Sequence, residues 1–196
     1  IRPGVQTAES LEAIVNQQAH GSITTSTLTL ADASHISELP SVNEVAPIII
    51  IHTNVQGSDR SLNNISVVGT APSLLEMSQV AIRSGQFGAN DSSVVVIGPQ
   101  LSIDIFGTEE SLGKTLVLRG KEFRVGGVLE RQKNPMNFNG FDFNTAVIMS
   151  QKQLLDISPT AQIQQINVKT DSIAHLDGLV VALNKTLVSR HNNEQD

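Results

Sequence analysis

The sequence contains no cysteine, no tryptophan and no tyrosine among its 196 residues. The absence of cysteine excludes disulfides, thiolate nucleophiles and cysteine-ligated zinc or iron–sulfur clusters. Six phenylalanines are the only aromatic residues, so the core has to be filled mainly by valine, isoleucine and leucine. Hydrophobic residues still make up 39% of the chain, which permits a buried core and argues against wholesale disorder.

Basic residues are also scarce, since 13 lysines and arginines stand against 19 acidic residues, for a net charge of −6. Binding to nucleic acid needs clustered lysine and arginine, and binding to single strands also needs stacking aromatic rings. Anionic membrane surfaces likewise attract basic clusters. The composition therefore predicts that no nucleic acid is a partner and disfavours an anionic membrane surface.

Long apolar runs are missing as well. The longest apolar stretch is Ala46–Ile51, far short of the roughly 20 residues that a bilayer-spanning helix needs. The first residues also lack the apolar core of a signal peptide. Because the chain begins with Ile1 rather than methionine, we expect it to be a fragment of a longer protein.

The N-terminal part of the chain predicts helices followed by a hairpin. Residues 7–19 predict one helix, and Thr29 with Asp32 forms a capping-box pattern at the start of a second. The β-branched run over 45–55 is too short for a buried helix of normal length and predicts a long strand. A glycine-containing turn joins it to a strand predicted over 64–69, so we expect a β-hairpin.

The pattern changes after residue 72. Short apolar runs separated by glycines predict a strand, a helix and two further strands, over 94–97, 101–106, 115–118 and 123–125. From residue 145 a strand, a helix, a strand and a helix are predicted, over 145–149, 151–157, 165–168 and from Asp171 or Ser172 onward. The last helix carries one apolar stripe: Ile173, Leu176, Leu179, Val180, Leu183 and Leu187. We therefore predict an α+β fold in which residues 1–72 plus 145–196 form one subdomain and residues 73–144 form an inserted β-rich subdomain.

The stretch from Gly107 to Thr115 resembles the phosphate-binding loop G-x-x-x-x-G-K-[ST]. Its glycines are one residue too far apart, and Glu109 and Glu110 would place negative charge where phosphates bind. A strand pattern follows Lys114, so the helix N-terminus that binds the anion is missing. We interpret the stretch as a surface turn that enters a strand, and the alternative is an ATPase that uses Lys114.

Other signatures of chemistry are absent from the sequence. The five histidines show no pair spaced four residues apart and no H-E-x-x-H pattern, and no G-x-S-x-G pattern occurs. The carboxylates are scattered along the chain. We therefore predict no catalytic residue, no metal ligand and no cofactor site.

The loop over 135–143 holds three of the six phenylalanines in a polar, asparagine-rich setting. One interpretation is an exposed contact for a partner or a hydrophobic ligand, made by Met136, Phe138, Phe141 and Phe143. The other is that the phenylalanines pack inward and pin the loop to the core, which is the commoner behaviour of isolated loop aromatics.

An ordered series of short segments runs through the middle of the chain: Val67–Pro72, Gly85–Phe87, Val94–Gly98, Phe106–Gly107, Leu112–Leu116 and Phe123–Leu129. It continues outward through Thr27–Asp32, Leu39–Val42 and Leu187–His191. This series resembles the extracytoplasmic core domain of MacB-type ABC transporter permeases over residues 22–191. The sequence departs from the family pattern at Gly126, at Met149 and after Pro72, where an apolar residue, a proline and an aromatic residue are usual.

The resemblance implies a βαβ-like subdomain built from both chain ends, with the second subdomain inserted between them. It implies a non-catalytic domain on the outer side of a bacterial cell membrane, in the periplasm or at the cell surface, held by the transmembrane helices of its parent. Its role would be to couple ATP hydrolysis by a separate cytoplasmic domain or chain to efflux or other work outside the membrane.

The resemblance also implies partners. The parent permease would be dimeric, the isolated domain monomeric, and a periplasmic adaptor would be a further contact. The alternative within the same permease class is a sensor domain that binds a peptide or a lipid with the loop over 135–143.

Overall fold

The computed structural model describes residue 1 and residues 27–88, 93–133 and 140–191. The strands are β1 (Val42–Gln56), β2 (Ser61–Thr70), β3 (Ile82–Gly85), β4 (Val94–Ile97), β5 (Thr115–Leu118), β6 (Lys121–Leu129), β7 (Val147–Ser150) and β8 (Ile163–Thr170). The helices are α1 (Leu30–Ser37), α2 (Ser73–Met77), α3 (Pro99–Phe106), α4 (Gln151–Ile157) and α5 (Leu176–His191), with a 3₁₀ turn at Ile173–His175 before α5. The helix predicted over 7–19 lies outside the described residues.

Helix α1 begins with the predicted capping box. The Thr29 hydroxyl accepts a hydrogen bond from the Asp32 backbone N–H at 3.1 Å, and the Asp32 carboxylate accepts one from the Thr29 backbone N–H at 2.8 Å. Ala33 and Ile36 are buried, whereas Leu30 in the same helix is 40% exposed. The capping box therefore determines where the helix begins. Ala33 and Ile36 form the side of the helix that packs against the core.

Strand β1 is the longest strand, at 15 residues or about 50 Å. Its N-terminal half pairs with β8 from Val42 to Ile49, and its C-terminal half pairs with β2 from Ile49 to Gln56. Its last two residues, Val55 and Gln56, also pair with β5. The predicted hairpin of β1 and β2 is confirmed.

The remaining pairings close the strands into a ring. β2 pairs with β7 in parallel, β7 with β4 antiparallel, β4 with β6 in parallel, and β6 with β5 antiparallel. Because β2 and β5 lie on opposite edges of β1, the six strands β1-β2-β7-β4-β6-β5 return to their starting point. β8 remains outside this ring on β1, and β3 remains outside it on β6.

The α+β class is confirmed, with eight strands and five α-helices in the described part of the chain. Strands from residues 73–144 and strands from the two chain ends belong to one continuous sheet. The division of the chain at 72/73 and 144/145 into two subdomains remains a prediction.

Side chains alternate between the two faces of the sheet and form two buried clusters. The first cluster contains Val67, Val95 and Val147 with residues of α1, α3, α4 and α5. The second contains their neighbours Val68, Val96 and Ile148 with residues of α2 and the phenylalanines near residue 142. Burial on both faces explains why these strands are nearly continuous apolar runs rather than alternating ones.

Gly98 joins β4 to α3 at a place where no side chain fits. Its backbone N–H donates to the Ala146 carbonyl at 2.9 Å, and a Cβ at this position would lie 2.2 Å from the Asn144 backbone oxygen. The N–H of Gln100, in the first turn of α3, donates to the same Asn144 oxygen at 2.9 Å. This close approach anchors the segment that leads into β7.

Two elements differ from expectation. β3 was missed, because its four residues include arginine, serine and glycine and carry no apolar run; pairing with β6 makes it a strand. The stripe of the last helix is only partly buried: Leu179 and Leu183 are in the core, whereas Leu176 and Val180 are each 47% exposed.

Within the described residues, no helix is both long enough and apolar enough to cross a membrane.

Candidate functional site

The segment from Gly107 to Thr115, here called the 107–115 turn, has the structure of a connector. Gly107 ends α3 with a left-handed φ of 72°, and Gly113 also has a positive φ, of 76°. β5 begins at Thr115, so a strand follows Lys114 and no helix N-terminus faces the turn. The interpretation as a surface turn entering a strand is confirmed.

Buried hydroxyl groups hold the turn in place. The Ser102 hydroxyl on α3 is 2.7 Å from the Ser111 hydroxyl and 2.6 Å from the Thr108 carbonyl oxygen. Ser102 and Ser111 are both fully buried. Because buried polar groups are costly unless they are hydrogen-bonded, this contact ties the turn to α3 rather than leaving it free.

Glu109 lies at the centre of an ion-pair network on the surface of the turn. Its carboxylate accepts hydrogen bonds from Arg83 on β3 and from Arg131 after β6, the latter at 3.0 Å. Arg83 also donates to the Glu109 main-chain oxygen at 2.6 Å, and Arg131 donates to the Gln100 side chain at 3.2 Å. The hydrogen bonds from Arg131 and then Arg83 lower the pKa of Glu109.

Two clefts border the 107–115 turn. One of about 610 Å³ lies between the turn joining β1 to β2 and the start of β5, and its lining includes Asp59, Phe106, Lys114 and Glu122. The Lys114 ammonium lies 5.2 Å from the centre of the Phe106 ring, in cation–π contact. A phosphate here would meet two carboxylates and no helix N-terminus, so the cleft is not suited to phosphate.

The second cleft, of about 640 Å³, is lined by Arg83, Ser84, Glu110 and Leu112. Leu112 is 47% exposed, an unusual position for a large apolar side chain beside an ion network. The two clefts lie on either side of the turn and combine charged, polar and apolar side chains.

The loop over 135–143 is tied down at both ends. The Asn144 amide and the Gln132 backbone exchange two hydrogen bonds, of 2.8 and 2.9 Å, across the base of the loop. The Asn144 backbone N–H also donates to the Asp142 carboxylate at 2.7 Å.

The structure corrects the contact interpretation for two of its four residues. Phe141 and Phe143 are 7% and 2% exposed and belong to the second core cluster, with their rings 4.7 Å apart in an edge-to-face arrangement. The same cluster contains Val96 of β4 and Ile148 of β7. Met136 and Phe138 lie outside the described residues, so their role as contacts remains a prediction.

Three of the five histidines have described side chains, and each of these has a separate local partner. A ring nitrogen of His35 is 3.7 Å from Glu38, one of His52 is 3.3 Å from the Ser66 hydroxyl, and one of His175 is 2.8 Å from Asp171. Within residues 27–88, 93–133 and 140–191, no three potential ligands come together to hold a metal ion.

The profile of the MacB-like periplasmic core domain family matches residues 4–186, nearly the whole chain. The chain belongs to this family. It is an extracytoplasmic domain of a MacB-like ABC transporter permease, on the outer side of the membrane. Periplasmic core domains of this family are generally non-catalytic.

A curated relative is the macrolide export ATP-binding/permease protein MacB of Syntrophobacter fumaroxidans (strain DSM 10017 / MPOB), which is 28% identical over 158 residues. The match covers 77% of this chain but only 22% of that protein. The chain therefore spans about a fifth of the relative's length, and the relative's name describes a much larger protein.

Three solved structures share the fold. The periplasmic region of MacB from Actinobacillus actinomycetemcomitans superposes with a TM-score of 0.73 at 20% identity, covering 90% of this chain and 79% of that one. The extracellular domain of the noncanonic ABC-type transporter YknZ from Gram-positive bacteria gives 0.72 at 16% identity, covering 90% and 88%. A domain of a putative permease protein from Porphyromonas gingivalis gives 0.62 at 17% identity, covering 84% and 70%.

The Glu109 network predicts a pH-dependent contribution to stability. The ordinary pKa of this carboxyl is 4.5 and the folded state lowers it, so ionised Glu109 stabilises the fold above pH 4.5. That contribution is lost as the pH falls through the folded pKa. We expect Glu109→Gln to lower the free energy of unfolding at pH 7, with the difference from wild type shrinking below pH 4.5. Urea denaturation of the wild type and the variant between pH 7 and pH 3 measures the loss of stability at pH 7 and its decrease at lower pH.

The effect should be small, because all three side chains are more than a third exposed. Glu110→Gln is the matched control, since Glu110 is exposed and no ion pair is recorded for it in the described part of the chain. It should leave the stability at pH 7 unchanged. Equal losses in the two variants would mean that net charge, and not the arginine contacts, is responsible.

Proposed function

We propose that this domain is a rigid, non-catalytic lever that carries motion from the membrane part of the permease to a contact outside the membrane. Through it, ATP hydrolysis at a separate ATPase is coupled to efflux. The observation that carries the proposal is the closed ring of strands, in which the single 15-residue strand β1 pairs with β8, β2 and β5.

Rigidity follows from the pairing of β1. β8 pairs with it from Val42 to Ile49 on one edge, and β2 pairs with it from Ile49 to Gln56 on the other edge. β5 pairs with it at Val55 and Gln56. Bending β1 would break the pairing on one edge and disturb both core clusters. A packed element of this kind moves as a rigid body, which is how domains commonly transmit conformational change.

The two ends of β1 have different neighbours, as a lever requires. Ile166 on β8 pairs with Pro47 of β1, and the 3₁₀ turn and α5 follow β8 in the chain. The first cleft begins at Gln56, about 30 Å further along β1. Connections to the membrane part at the β8 side would therefore displace the 107–115 turn at the far end.

The far end is suited to a protein contact. Its two clefts combine an exposed leucine with lysine, arginine and carboxylate side chains, a mixture typical of the polar rim and apolar centre of interfaces. We propose that an adaptor or the transported substrate is contacted here. The curated relative is named for macrolide export, so a macrolide is the first transport substrate to test.

The lever can be tested by spin labels in the full-length permease, reconstituted in liposomes together with its ATPase. The domain has no cysteine, so Ser34→Cys on α1 and Asp59→Cys at the β1–β2 turn provide exposed, unique labelling sites within it. We expect the distance between these two labels to be the same without nucleotide and with ATP trapped. The distance from Asp59→Cys to a label in a transmembrane helix should change.

As a control, the labelled permease must still hydrolyse ATP and export the macrolide. A change in the Ser34–Asp59 distance between the two states would show that the domain bends, and would contradict the lever. No change in either distance would show that the domain does not move, and would contradict coupling through it.

A second function is favoured by the tied base of the loop over 135–143. The Asn144–Gln132 contact and the buried Phe141 hold one side of the loop rigidly. We propose that Met136 and Phe138 form a contact for a peptide or a lipid, which would make this a sensor domain of the same permease class.

The double variant Met136→Ala/Phe138→Ala tests this second function. It should lose flotation with phosphatidylcholine vesicles or capture on an array of apolar peptides, at unchanged stability. Phe141→Ala is the matched control for core packing and should lower the free energy of unfolding by about 3–5 kcal/mol. Absence of both binding signals in the wild-type domain would overturn the sensor function. A loss of stability in the double variant as large as that of Phe141→Ala would also overturn it.

A further inference from the structure

The turn between β5 and β6 contains a residue in an unfavourable backbone conformation. Arg119 and Gly120 form this two-residue turn, and both have a positive φ, of 49° and 80°. Glycine adopts such angles freely, and asparagine is the usual residue at the first position of a turn of this kind. Arginine is strained at that position, and a strained residue persists where the contacts around it hold it in place.

The Arg119 side chain makes such a contact with the end of α4. Its guanidinium donates a hydrogen bond to the Ser158 hydroxyl at 3.1 Å, and Ser158 is only 4% exposed. From the other side of the turn, the Lys121 ammonium donates to the Asp156 carbonyl oxygen at 3.2 Å. Both cations thus lie at the C-terminal end of α4, where the last carbonyl groups and the helix dipole favour positive charge.

Helix α4 is itself attached to other strands of the ring. Its Leu154 side chain packs against Gly69 of β2, where an added Cβ would lie 2.8 Å from the Leu154 Cβ. The Gln153 side chain donates to the Val94 carbonyl oxygen of β4 at 2.8 Å, and both Gln153 and Leu154 are buried. The contacts at the end of α4 therefore link the β5–β6 turn to β2 and β4.

The strand pairing next to this turn is short. β5 pairs with β1 through two residue pairs, Val55 with Leu118 and Gln56 with Val117. β4 and β7 also share two residue pairs, but further backbone hydrogen bonds, from the start of α3 and the residue before it to the segment before β7, extend that contact. The β1–β5 pairing is reinforced by side chains instead, through the contacts of the neighbouring turn with α4.

We propose that residues 117–122, here called the hairpin tip, form a latch that the Arg119–Ser158 contact locks. With this contact in place, the hairpin tip stays on β1 and the ring of strands stays closed. Without it, the hairpin tip releases from β1 and α4 while the other strands stay paired, because the two residue pairs with β1 do not hold it alone. Such a local opening requires less free energy than global unfolding.

The latch also determines the shape of the first cleft. The lining of this cleft comes from both sides of the β1–β5 pairing, with Gln56 and Asp59 on one side and Val117 and Glu122 on the other. Release of the hairpin tip moves Val117 and Glu122 away from β1 and divides the cleft. The consequence for a partner in the cleft rests on the proposed function, whereas the latch itself does not and is tested separately.

Thiol labelling of single-cysteine variants of the purified chain measures release of the hairpin tip, because the native sequence has no cysteine. Val55→Cys places a thiol on β1 where the hairpin tip pairs, and Val147→Cys places the matched control on β7. Both valines are 0% exposed, so a thiol reagent reaches these positions only when the structure opens. We expect Arg119→Gly to speed labelling of Val55→Cys at least several-fold and to leave that of Val147→Cys unchanged.

Ser158→Ala supplies the second arm, since it removes the hydrogen-bond acceptor and leaves the residues of the turn unchanged. It should also speed labelling of Val55→Cys. In the Ser158→Ala background, Arg119→Gly should give no further increase, because the contact is already lost and glycine then only relieves the strain of the turn.

Three results would overturn the latch. Unchanged or slower labelling of Val55→Cys on Arg119→Gly would show that the contact does not hold the hairpin tip. Equal acceleration at Val55→Cys and Val147→Cys would show that the whole domain unfolds instead. An equal effect of Arg119→Gly with and without Ser158→Ala would show that Arg119 acts through another contact. None of these results would affect the lever, which is tested by distances in the full-length permease.

Discussion

The dual pairing of β1 is the constraint on which the rest of the structure depends. This strand accepts β2 along one edge and both β8 and β5 along the other, and only a strand of this length can reach all three. Its β-branched run supplies residues for both core clusters, with Ile48 facing one and Ile49 the other. Without the two residue pairs between β1 and β5, the ring of six strands would be an open sheet with two free edges.

Closure of the ring determines where the proposed contact surface lies. It brings β5 beside the end of β1, and so places the 107–115 turn next to the turn of the hairpin. The Glu109 network and the Ser102–Ser111 contact then hold the turn against α3 and β3. Buried hydroxyls and ion pairs at this end act together to fix the shape of the surface.

Elements that are determined by their own residues could be predicted from short stretches of sequence. The capping box at Thr29 and the apolar run of β4 indicated those elements without knowledge of their neighbours. The arginine- and serine-containing β3 could not be predicted, because its partner β6 makes it a strand. Burial of Phe141 depends on the Asn144 anchor, a contact between distant backbone segments. The clefts and the Glu109 network likewise need the closed ring, which no short window of sequence contains.

Native-state hydrogen exchange at low denaturant concentrations tests the closed ring most directly. If β1 couples all six strands, their slowest amides exchange only by global unfolding, with one free energy and one dependence on denaturant. The account predicts that amides of β4 and β6, from residues 73–144, share these values with amides of β1, β2 and β7. A lower free energy and a weaker denaturant dependence confined to β4, β5 and β6 would show that residues 73–144 unfold as a separate unit, and would contradict it.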